Sequence, residues 1–170
     1  MRCVNCVFKG GLAHPVDLWR CTRKLCNVTY EPSRMNMLRW RLVDPKATLM
    51  VFPNGSFIVN GVCSEQQAVA AVTAMVAKLN THCGMNISQV PDIFVCNLVF
   101  AGDVGHTVDL HALHAKRLVF FEPELFCGAK SSVNGTTLIL FCSGKYYIQK
   151  AKSEQQAKEA LELFRAKLSL

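Results

Sequence analysis

The segments FPNGSFIVNGVCSEQQA (residues 52–68) and FCSGKYYIQKAKSEQQA (residues 141–157) follow one plan at two places in the chain. Both begin with phenylalanine, have a glycine three residues later and end in SEQQA, and each shared residue recurs after 89 positions. Ser-x-x-Gln ahead of an apolar run is the signature of a helix capping box. Each segment therefore predicts a turn, a strand and the start of a capped helix.

Further pairs in the same order extend this repeat over the chain. Glu-Pro at 31–32 recurs at 122–123, Val-Asp-Leu at 16–18 recurs at 108–110, and Asn5 is matched by Asn97. A period near 90 residues is longer than the roughly 20–50 residues of solenoid repeats. The sequence therefore predicts a duplicated half-domain, with one repeat in residues 1–91 and the other in residues 92–170, sharing one structural domain.

The composition predicts a compact globular protein, because 51% of the residues are hydrophobic and 18% are charged. No apolar run approaches the roughly 20 residues that span a bilayer, and the N-terminus lacks the apolar core of a signal peptide. The nine cysteines are odd in number and follow no secreted framework, which favours reduced thiols. An intracellular protein without membrane association is expected.

Charge divides unevenly between the repeats. Residues 1–91 contain 10 basic and 4 acidic side chains, whereas residues 92–170 contain 9 and 8. Seven of the bases lie between residues 20 and 46. A basic balance is compatible with a polyanion partner, although a solvated basic face would give the same sum.

The sequence contains no motif that supports catalysis or metal binding. No nucleophile–base constellation, phosphate loop or paired acid motif is present, so no enzyme and no cofactor are predicted. Cys3 and Cys6 would point to opposite faces of a strand, which argues against a metal site.

Periodicity predicts the same elements in both repeats. The first reads as a strand at 3–8, a helix at 15–26, an alternating strand at 35–42, a turn at 44–46, a hairpin around Asn54-Gly55 and a helix from Ser64. The second reads as a strand at 93–100, a helix at 108–117, a strand around Leu125, hairpins at Asn134-Gly135 and Ser143-Gly144, and a helix at 153–168.

Antiparallel strands with helices on one side give an α+β fold. Two such halves would join into one wide sheet whose other face is open and partly apolar, which is typical of a binding surface. The residues expected on that face are Val7, Met35, Met37, Phe52, Ile58, Val99, Phe126 and Phe141.

At several points the chain resembles the conserved core of the TATA-box-binding protein family. The resemblance rests on YEPSR (30–34), FEPELF (121–126), DPK (44–46) and Phe-x-x-Gly before each capped helix, in order over both repeats. It implies a saddle in which a curved antiparallel sheet binds the minor groove of promoter DNA while helices cover the convex face. It also implies a general transcription initiation factor in the nucleus.

Residue by residue, the resemblance implies particular DNA contacts. The four wedge positions, which kink the duplex, fall on Met35, Phe52, Phe126 and Phe141. The two base-contacting asparagines fall on Asn5 and Asn97, with Val7 and Val99 as apolar contacts beside them. Backbone contacts fall on Arg41 and Lys145.

Other groove positions depart from the family's pattern. Threonines are replaced by Asn60 and Gln149, a valine by Tyr147 with Ile58 as its counterpart, an apolar residue by Arg39 and a lysine by Ser56. The span from Phe126 to Phe141 is also two residues shorter than that from Met35 to Phe52 and lacks a counterpart of Arg41. We therefore expect relaxed or altered TATA specificity.

Partner binding is implied as well. The family's Glu-Pro-Glu loop, which docks transcription factor IIB or its relatives, falls on Glu122 and Glu124, and an apolar underside is compatible with a homodimer when free of DNA. The alternative hypothesis is a protein-interaction scaffold of the same fold that has lost most DNA binding.

Overall fold

A computed structural model describes residues 1–169. The chain divides into two compact units. The N-terminal unit is Asn5–Cys96, and the C-terminal unit comprises Met1–Val4 and the segment from residue 97 onward. The elements of the first repeat are β1 (Arg2–Gly11), α1 (Leu18–Lys24), β2 (Val28–Tyr30), β3 (Leu38–Leu42), β4 (Ala47–Val51), β5 (Ser56–Val62) and α2 (Glu65–Cys83). Those of the second are β6 (Ile93–Asp103), α3 (Leu110–Ala115), β7 (Gly128–Val133), β8 (Thr136–Phe141), β9 (Lys145–Ala151) and α4 (Glu154–Leu168).

Both units are antiparallel sheets with one helix-covered face. In the N-terminal unit the strand order is β2-β3-β4-β5-β1, and in the C-terminal unit it is β6-β9-β8-β7. Strands β3, β4 and β5 alternate between buried and less buried residues, as expected for strands with one face in a core. The buried side chains include Leu38, Leu49 and Val59, which are inaccessible to solvent.

Each core forms where a long helix packs on its sheet. Helix α2 buries Ala68, Ala71, Val72, Met75 and Leu79 at successive turns. Helix α4 buries Ala157, Ala160, Leu161 and Phe164 in a cluster with Leu138, Leu140 and Ile148. Small residues at the first turns let each helix approach its sheet closely, so one face of each sheet is sealed and the other stays open.

The repeated SEQQA pentapeptide begins each long helix. The Ser64 hydroxyl accepts a hydrogen bond from the Gln67 backbone N–H at 3.2 Å, and the Gln67 side-chain oxygen accepts one from the Cys63 N–H at 2.8 Å. Ser153 and Gln156 make the same pair of bonds at 3.1 and 2.7 Å, the second from the Lys152 N–H. The predicted capping boxes are confirmed, and they satisfy backbone donors that a helix start leaves unpaired.

The glycine of Phe-x-x-Gly is required by its backbone conformation and its surroundings. Gly55 has φ +87° and Gly144 has φ +83°, a region that other residues rarely adopt. A Cβ at Gly55 would overlap the His14 carbonyl oxygen, and one at Gly144 would overlap that of His106. In each unit the glycine therefore lets its hairpin turn come close to the loop that follows the first strand, β1 or β6.

Several element predictions were wrong in detail. The strand predicted at 35–42 begins only at Leu38, because the Met35 N–H donates to the Glu31 carbonyl in a turn. The strand predicted around Leu125 is also a turn, in which the Leu125 and Phe126 N–H groups both donate to the Glu122 carbonyl at 3.0 Å. Strand β2 was not predicted, since three residues are too few to show a period.

Met37 was also placed wrongly. It was expected on the open face, but it is only 8% exposed.

The two Asn-Gly pairs differ in the turns that they form. Around Asn54-Gly55 the connection contains four residues, 52–55. Asn134-Gly135 forms the predicted two-residue turn, with positive φ at both positions.

Candidate nucleic-acid interface

The open face of the N-terminal unit is defined by residues that stand opposite each other on neighbouring strands. Directly paired residues of an antiparallel sheet project to the same side. One row therefore runs through Arg39, Met50, Ile58 and Lys9, and a second through Arg41, Thr48 and Asn60. These rows contain three cations and no carboxylate, so the face is basic.

The C-terminal unit repeats these rows with different chemistry. Its first row is Lys130, Ile139, Tyr147 and Ala101, and its second is Ser132, Thr137 and Gln149. Lys145 stands opposite Asp103 in a third row. Ser132 occupies the place of Arg41 and Ala101 that of Lys9, so the first two rows contain one cation here against three in the N-terminal unit.

A bulge at the same point of each unit places the two asparagines. Pairing between β1 and β5 shifts between Cys6 and Phe8, and pairing between β6 and β9 shifts between Leu98 and Phe100, so Val7 and Val99 each lie at an irregularity. Gly61 and Lys150, on the opposing strands, have φ +77° and +66°. A bulge of this kind bends its strand and re-aims the adjacent side chains.

The backbone at each bulge holds the neighbouring asparagine. The Asn5 Oδ1 accepts from the Gly61 N–H at 3.2 Å, and the Asn97 Oδ1 accepts from the Lys150 N–H at 2.7 Å. Because the oxygen is directed to the opposing strand, the Nδ2 group is the part of each amide that can donate to a ligand. The Asn5 bond is the longer of the two, because the Gly61 N–H also donates to the Asn60 Oδ1 at 2.7 Å.

An aromatic cluster covers part of the open face of the C-terminal unit. The ring centroids of Phe126 and Phe141 lie 6.0 Å apart, and those of Phe141 and Tyr147 lie 6.1 Å apart, both edge to face. The Lys130 ammonium lies 5.2 Å from the Phe126 centroid, within reach of a cation–π contact. Phe126 remains 38% exposed and Tyr147 40% exposed, so this apolar surface is open to a ligand.

Gly128 makes room for that cluster. A Cβ there would lie 2.7 Å from Phe126 and 3.1 Å from Phe141. Gly128 lies two residues after Phe126. Met37 lies two residues after Met35 in the N-terminal unit, and it is buried. Met35 is 57% exposed there and lines a recess of about 370 Å³ with Thr29, Glu31, Arg34, Met37 and Arg39.

The structure therefore brings the predicted residues together within each unit. Asn5, Val7, Arg39, Arg41, Ile58 and Asn60 share the open face of the N-terminal unit, with Met35 and Phe52 in the turns beside it. Asn97, Val99, Phe141, Lys145, Tyr147 and Gln149 share that of the C-terminal unit, with Phe126 beside them. Sequence reasoning missed Lys9 and Lys130, whose places in the rows are set by strand pairing.

Glu122 and Glu124 lie away from these rows, in the turn that replaces the predicted strand. Both are exposed, and with Phe121, Pro123 and Leu125 they border a recess of about 390 Å³. Leu125 is 80% exposed and Phe120 56% exposed. The matching turn of the N-terminal unit differs, because Glu31 is paired with Arg34 at 3.4 Å.

Residues 1–169 provide neither a cluster of metal ligands nor a membrane-spanning helix. No group of three or more histidine, cysteine or carboxylate side chains stands close enough to hold a metal ion. No helix in this range is long and apolar enough to cross a membrane.

Comparison with known proteins agrees with this geometry. A family model described as "Transcription factor TFIID (or TATA-binding protein, TBP)" matches residues 1–82 and 92–169. The chain is 33% identical to the TATA-box-binding protein of Pyrococcus furiosus over 165 residues, covering 95% of this chain and 85% of the relative. It is 30% identical to that of Methanococcus aeolicus over 164 residues, covering 95% and 90%.

A solved structure gives the same result. The Methanococcus jannaschii TBP superposes with a TM-score of 0.87 at 28% identity, covering 99% of this chain and 97% of that one. The α+β fold predicted from the sequence is confirmed by this match. The chain belongs to the TATA-box-binding protein family, which consists of transcription factors and not of enzymes.

Proposed function

We propose that the chain is a general transcription initiation factor whose two units each apply the open sheet face to the minor groove of promoter DNA. The observation that carries this proposal is the pair of asparagines held at equivalent bulges. A·T pairs present only acceptors in the minor groove. Amide donors from Asn5 and Asn97, flanked by Val7 and Val99, are complementary to such a surface.

The wedge residues supply the means to kink the duplex. Apolar side chains inserted between base steps unstack them and bend the DNA toward the major groove. Phe126 and Phe141 pack against each other and stay accessible, and Met35 and Phe52 occupy the corresponding turns of the N-terminal unit. Methionine suits an insertion site because its side chain is flexible and polarizable.

Phosphate contacts would come mainly from the N-terminal unit. Lys9, Arg39 and Arg41 are exposed on its open face, whereas the C-terminal unit offers Lys130 and Lys145, the latter opposite Asp103. Cations that neutralise phosphates release counterions and make affinity salt-dependent. We expect DNA to be held more strongly by the N-terminal unit.

Relaxed or altered TATA specificity follows from the polar and bulky groove positions. Asn60 and Gln149 can donate to or accept from base edges, so a G·C pair, which adds a donor in the minor groove, need not be excluded. Tyr147 and Ile58 add bulk on equivalent strands. The preference for A·T-rich duplex over scrambled sequence is therefore expected to be smaller than for a site lined by threonine and valine.

Energy transfer across a doubly labelled A·T-rich duplex tests the proposal. The chain is expected to shorten the end-to-end distance of the duplex, and the Phe126→Ala, Phe141→Ala variant is expected to bind with little bending. A Leu163→Ala variant, which alters an exposed apolar residue on helix α4, serves as the control. Absence of both binding and bending would favour the alternative, a protein-interaction scaffold. Tyr147 and Arg39, which depart from the family's pattern, also favour that alternative.

We further propose that the acidic turn of the C-terminal unit binds a transcription-factor-IIB-like protein. Two exposed carboxylates beside exposed Leu125 form a surface for a basic partner with an apolar contact. A Glu122→Arg, Glu124→Arg variant should lose that partner in a pull-down on promoter DNA, while Glu159→Arg on α4 should retain it. Equal recovery with both variants would contradict this assignment.

Self-association and location stay predictions. The apolar open faces are expected to support a homodimer when DNA is absent. Action on DNA is consistent with a nuclear location, although the similar proteins named above are archaeal and act without a nucleus.

A further inference from the structure

Two exposed cysteines follow the two wedge phenylalanines of the C-terminal unit. Cys127 comes directly after Phe126, and Cys142 comes directly after Phe141. Both are free thiols on the surface. The function proposed above makes no use of either.

Strand pairing brings these two cysteines to one place. The β7–β8 register ends with Gly128 opposite Phe141. The next residue outward is Cys127 on one side and Cys142 on the other. Residues separated by 15 positions in the chain are therefore neighbours across the end of a hairpin.

Side-chain parity places both thiols on the same side of the sheet. Ala129 and Leu140, two positions inward on each strand, stand opposite each other and are buried in the core under α4. Because successive side chains of a strand alternate between its faces, Cys127 and Cys142 project to that same side. They lie beyond the edge of the core, where solvent reaches them.

Backbone hydrogen bonds hold the two turns that carry the cysteines. The Cys142 carbonyl accepts from the Val108 N–H at 2.9 Å. The Phe126 N–H, one residue before Cys127, donates to the Glu122 carbonyl at 3.0 Å. The two thiols therefore face each other from anchored segments, and no large movement of the chain is needed to bring them together.

The spacing of facing residues suits a disulfide. Facing residues of antiparallel strands have Cα atoms roughly 4.5–5.5 Å apart, and disulfides span Cα separations of about 4.4–6.8 Å. A metal ion would need more ligands than two thiols, and no group of three or more ligand side chains stands together in residues 1–169. The chemistry that this pair supports is a bond between its own sulfur atoms.

The other cysteines lack this combination of a neighbour and access to solvent. Cys21 of α1 and Cys83 of α2 are neighbours, but both are almost fully buried. Cys26 and Cys63 are exposed, but they adjoin β2 and β5, which are separated by two strands of the sheet. A small oxidant in solution therefore meets a facing pair at Cys127 and not at these sites.

We propose that Cys127 and Cys142 form a reversible disulfide by exchange with a low-molecular-weight disulfide such as oxidised glutathione. One protein thiolate attacks the small disulfide, which forms a mixed disulfide and releases one small thiol. The second protein thiolate attacks the protein sulfur of the mixed disulfide, and a second small thiol leaves. The protein thiols lose two protons and two electrons, which reduce the small disulfide to two thiols. The bond ties together the turns that carry Phe126 and Phe141, and it forms whether or not the open face binds DNA.

Tryptic mapping without reduction tests this assignment, because the two cysteines fall in different tryptic peptides, 118–130 and 131–145. After the folded, reduced full chain is incubated with oxidised glutathione, these two peptides should be recovered joined to each other. They should exceed pairs that contain Cys26 or Cys63 at least about tenfold, because facing thiols react at a high effective concentration. Dithiothreitol should separate them again.

Single substitutions show whether the two thiols act as a pair. Cys127→Ser and Cys142→Ser should each stop at the mixed disulfide, seen as glutathione retained on the remaining thiol. Cys26→Ser should leave the joined peptides unchanged, and circular dichroism should show that all three variants are folded. Failure to recover joined peptides from the wild type, or their equal recovery from protein oxidised in denaturant, would overturn the proposal.

Phenylarsine oxide gives a second readout that needs no oxidant. Its arsenic binds two neighbouring thiols and loses its oxygen as water. The folded wild type should keep the arsenical through gel filtration, and Cys127→Ser and Cys142→Ser should each lose it. Retention by either variant equal to that of the wild type would assign the arsenic to another pair of thiols and contradict the facing arrangement.

Discussion

At the scale of single residues, the two hairpin glycines are the positions with least freedom to change. At Gly144 the backbone conformation and the overlap with the His106 carbonyl oppose any side chain. Gly105 has a similar φ of +88°, yet a Cβ there would meet nothing within 4 Å. Comparing the two separates the cost of the conformation from the cost of the overlap.

We expect Gly144→Ala to lower the free energy of unfolding by roughly 3–4 kcal/mol, since a rigid carbonyl must move as well as the strained backbone. Gly105→Ala should cost only about 1–2 kcal/mol, the strain of a left-handed residue. Urea denaturation measures both. Equal losses would show that the overlap at Gly144 relaxes without cost.

The cysteines provide a second prediction at this scale. Burial, and to a smaller extent the neighbouring Cys83, raise the pKa of the Cys21 thiol from 9.0 to about 12. Because the thiolate is the reactive form, Cys21 at pH 8 has about a thousandfold less of it than an unperturbed thiol. Iodoacetamide should therefore modify exposed Cys26, Cys127 and Cys142 first.

Peptide mass spectrometry after timed alkylation checks this order. Cys21 should react only when denaturant is added, whereas the exposed thiols should react equally with and without it. Modification of Cys21 in the folded protein at the rate of Cys26 would contradict the packing of α1 on α2.

At the scale of elements, the long helices owe their start points to the repeated pentapeptide. Ser64→Ala and Ser153→Ala should each lower the free energy of unfolding by about 1 kcal/mol, the usual worth of a helix N-cap. Ser143→Ala, in an exposed turn, is the matched control and should be nearly neutral. Thermal or urea unfolding of the three variants gives the comparison, and a neutral Ser64→Ala would refute the capping role.

The sequence predicted these elements where local chemistry decides the structure. Ser-x-x-Gln fixed both helix starts, and Asn134-Gly135 gave a two-residue turn. It failed where a hydrogen bond within a local turn, from the N–H of one residue to the carbonyl four residues earlier, overrides the pattern. The alternation from Met35 onward reads as strand, but the Glu31 carbonyl captures the Met35 N–H, and nothing in the periodicity signals that acceptor. The same capture at Glu122 removed the strand expected around Leu125.

At the scale of the whole molecule, charge and apolar surface set the expected behaviour in solution. The open faces carry exposed Met35, Phe126 and Tyr147, and exposed apolar patches favour association. We expect light scattering to detect a concentration-dependent dimer in the absence of DNA. Addition of an A·T-rich duplex should convert it to a complex with one chain per duplex, and a dimer that persists with duplex bound would place self-association on another surface.

The residues of the candidate site were predictable where the two repeats could be matched position by position. Position-by-position correspondence of the two repeats pairs Asn5 with Asn97 and Phe52 with Phe141. Lys9 and Lys130 were missed because their place depends on pairing between strands distant in sequence. The hydrogen bonds that fix the asparagines depend on bulges that no local pattern of residues shows.

The exchange of Gly128 for Met37 has a consequence for protein engineering. Because the two units descend from one plan, the C-terminal unit serves as a template for rebuilding the N-terminal one. The substitutions Met35→Phe and Met37→Gly would place a ring against Phe52, in the edge-to-face manner of Phe126 and Phe141. If this variant folds, the difference between the two halves at the wedge positions is a matter of two side chains, and the N-terminal half could be given the aromatic pair of its counterpart.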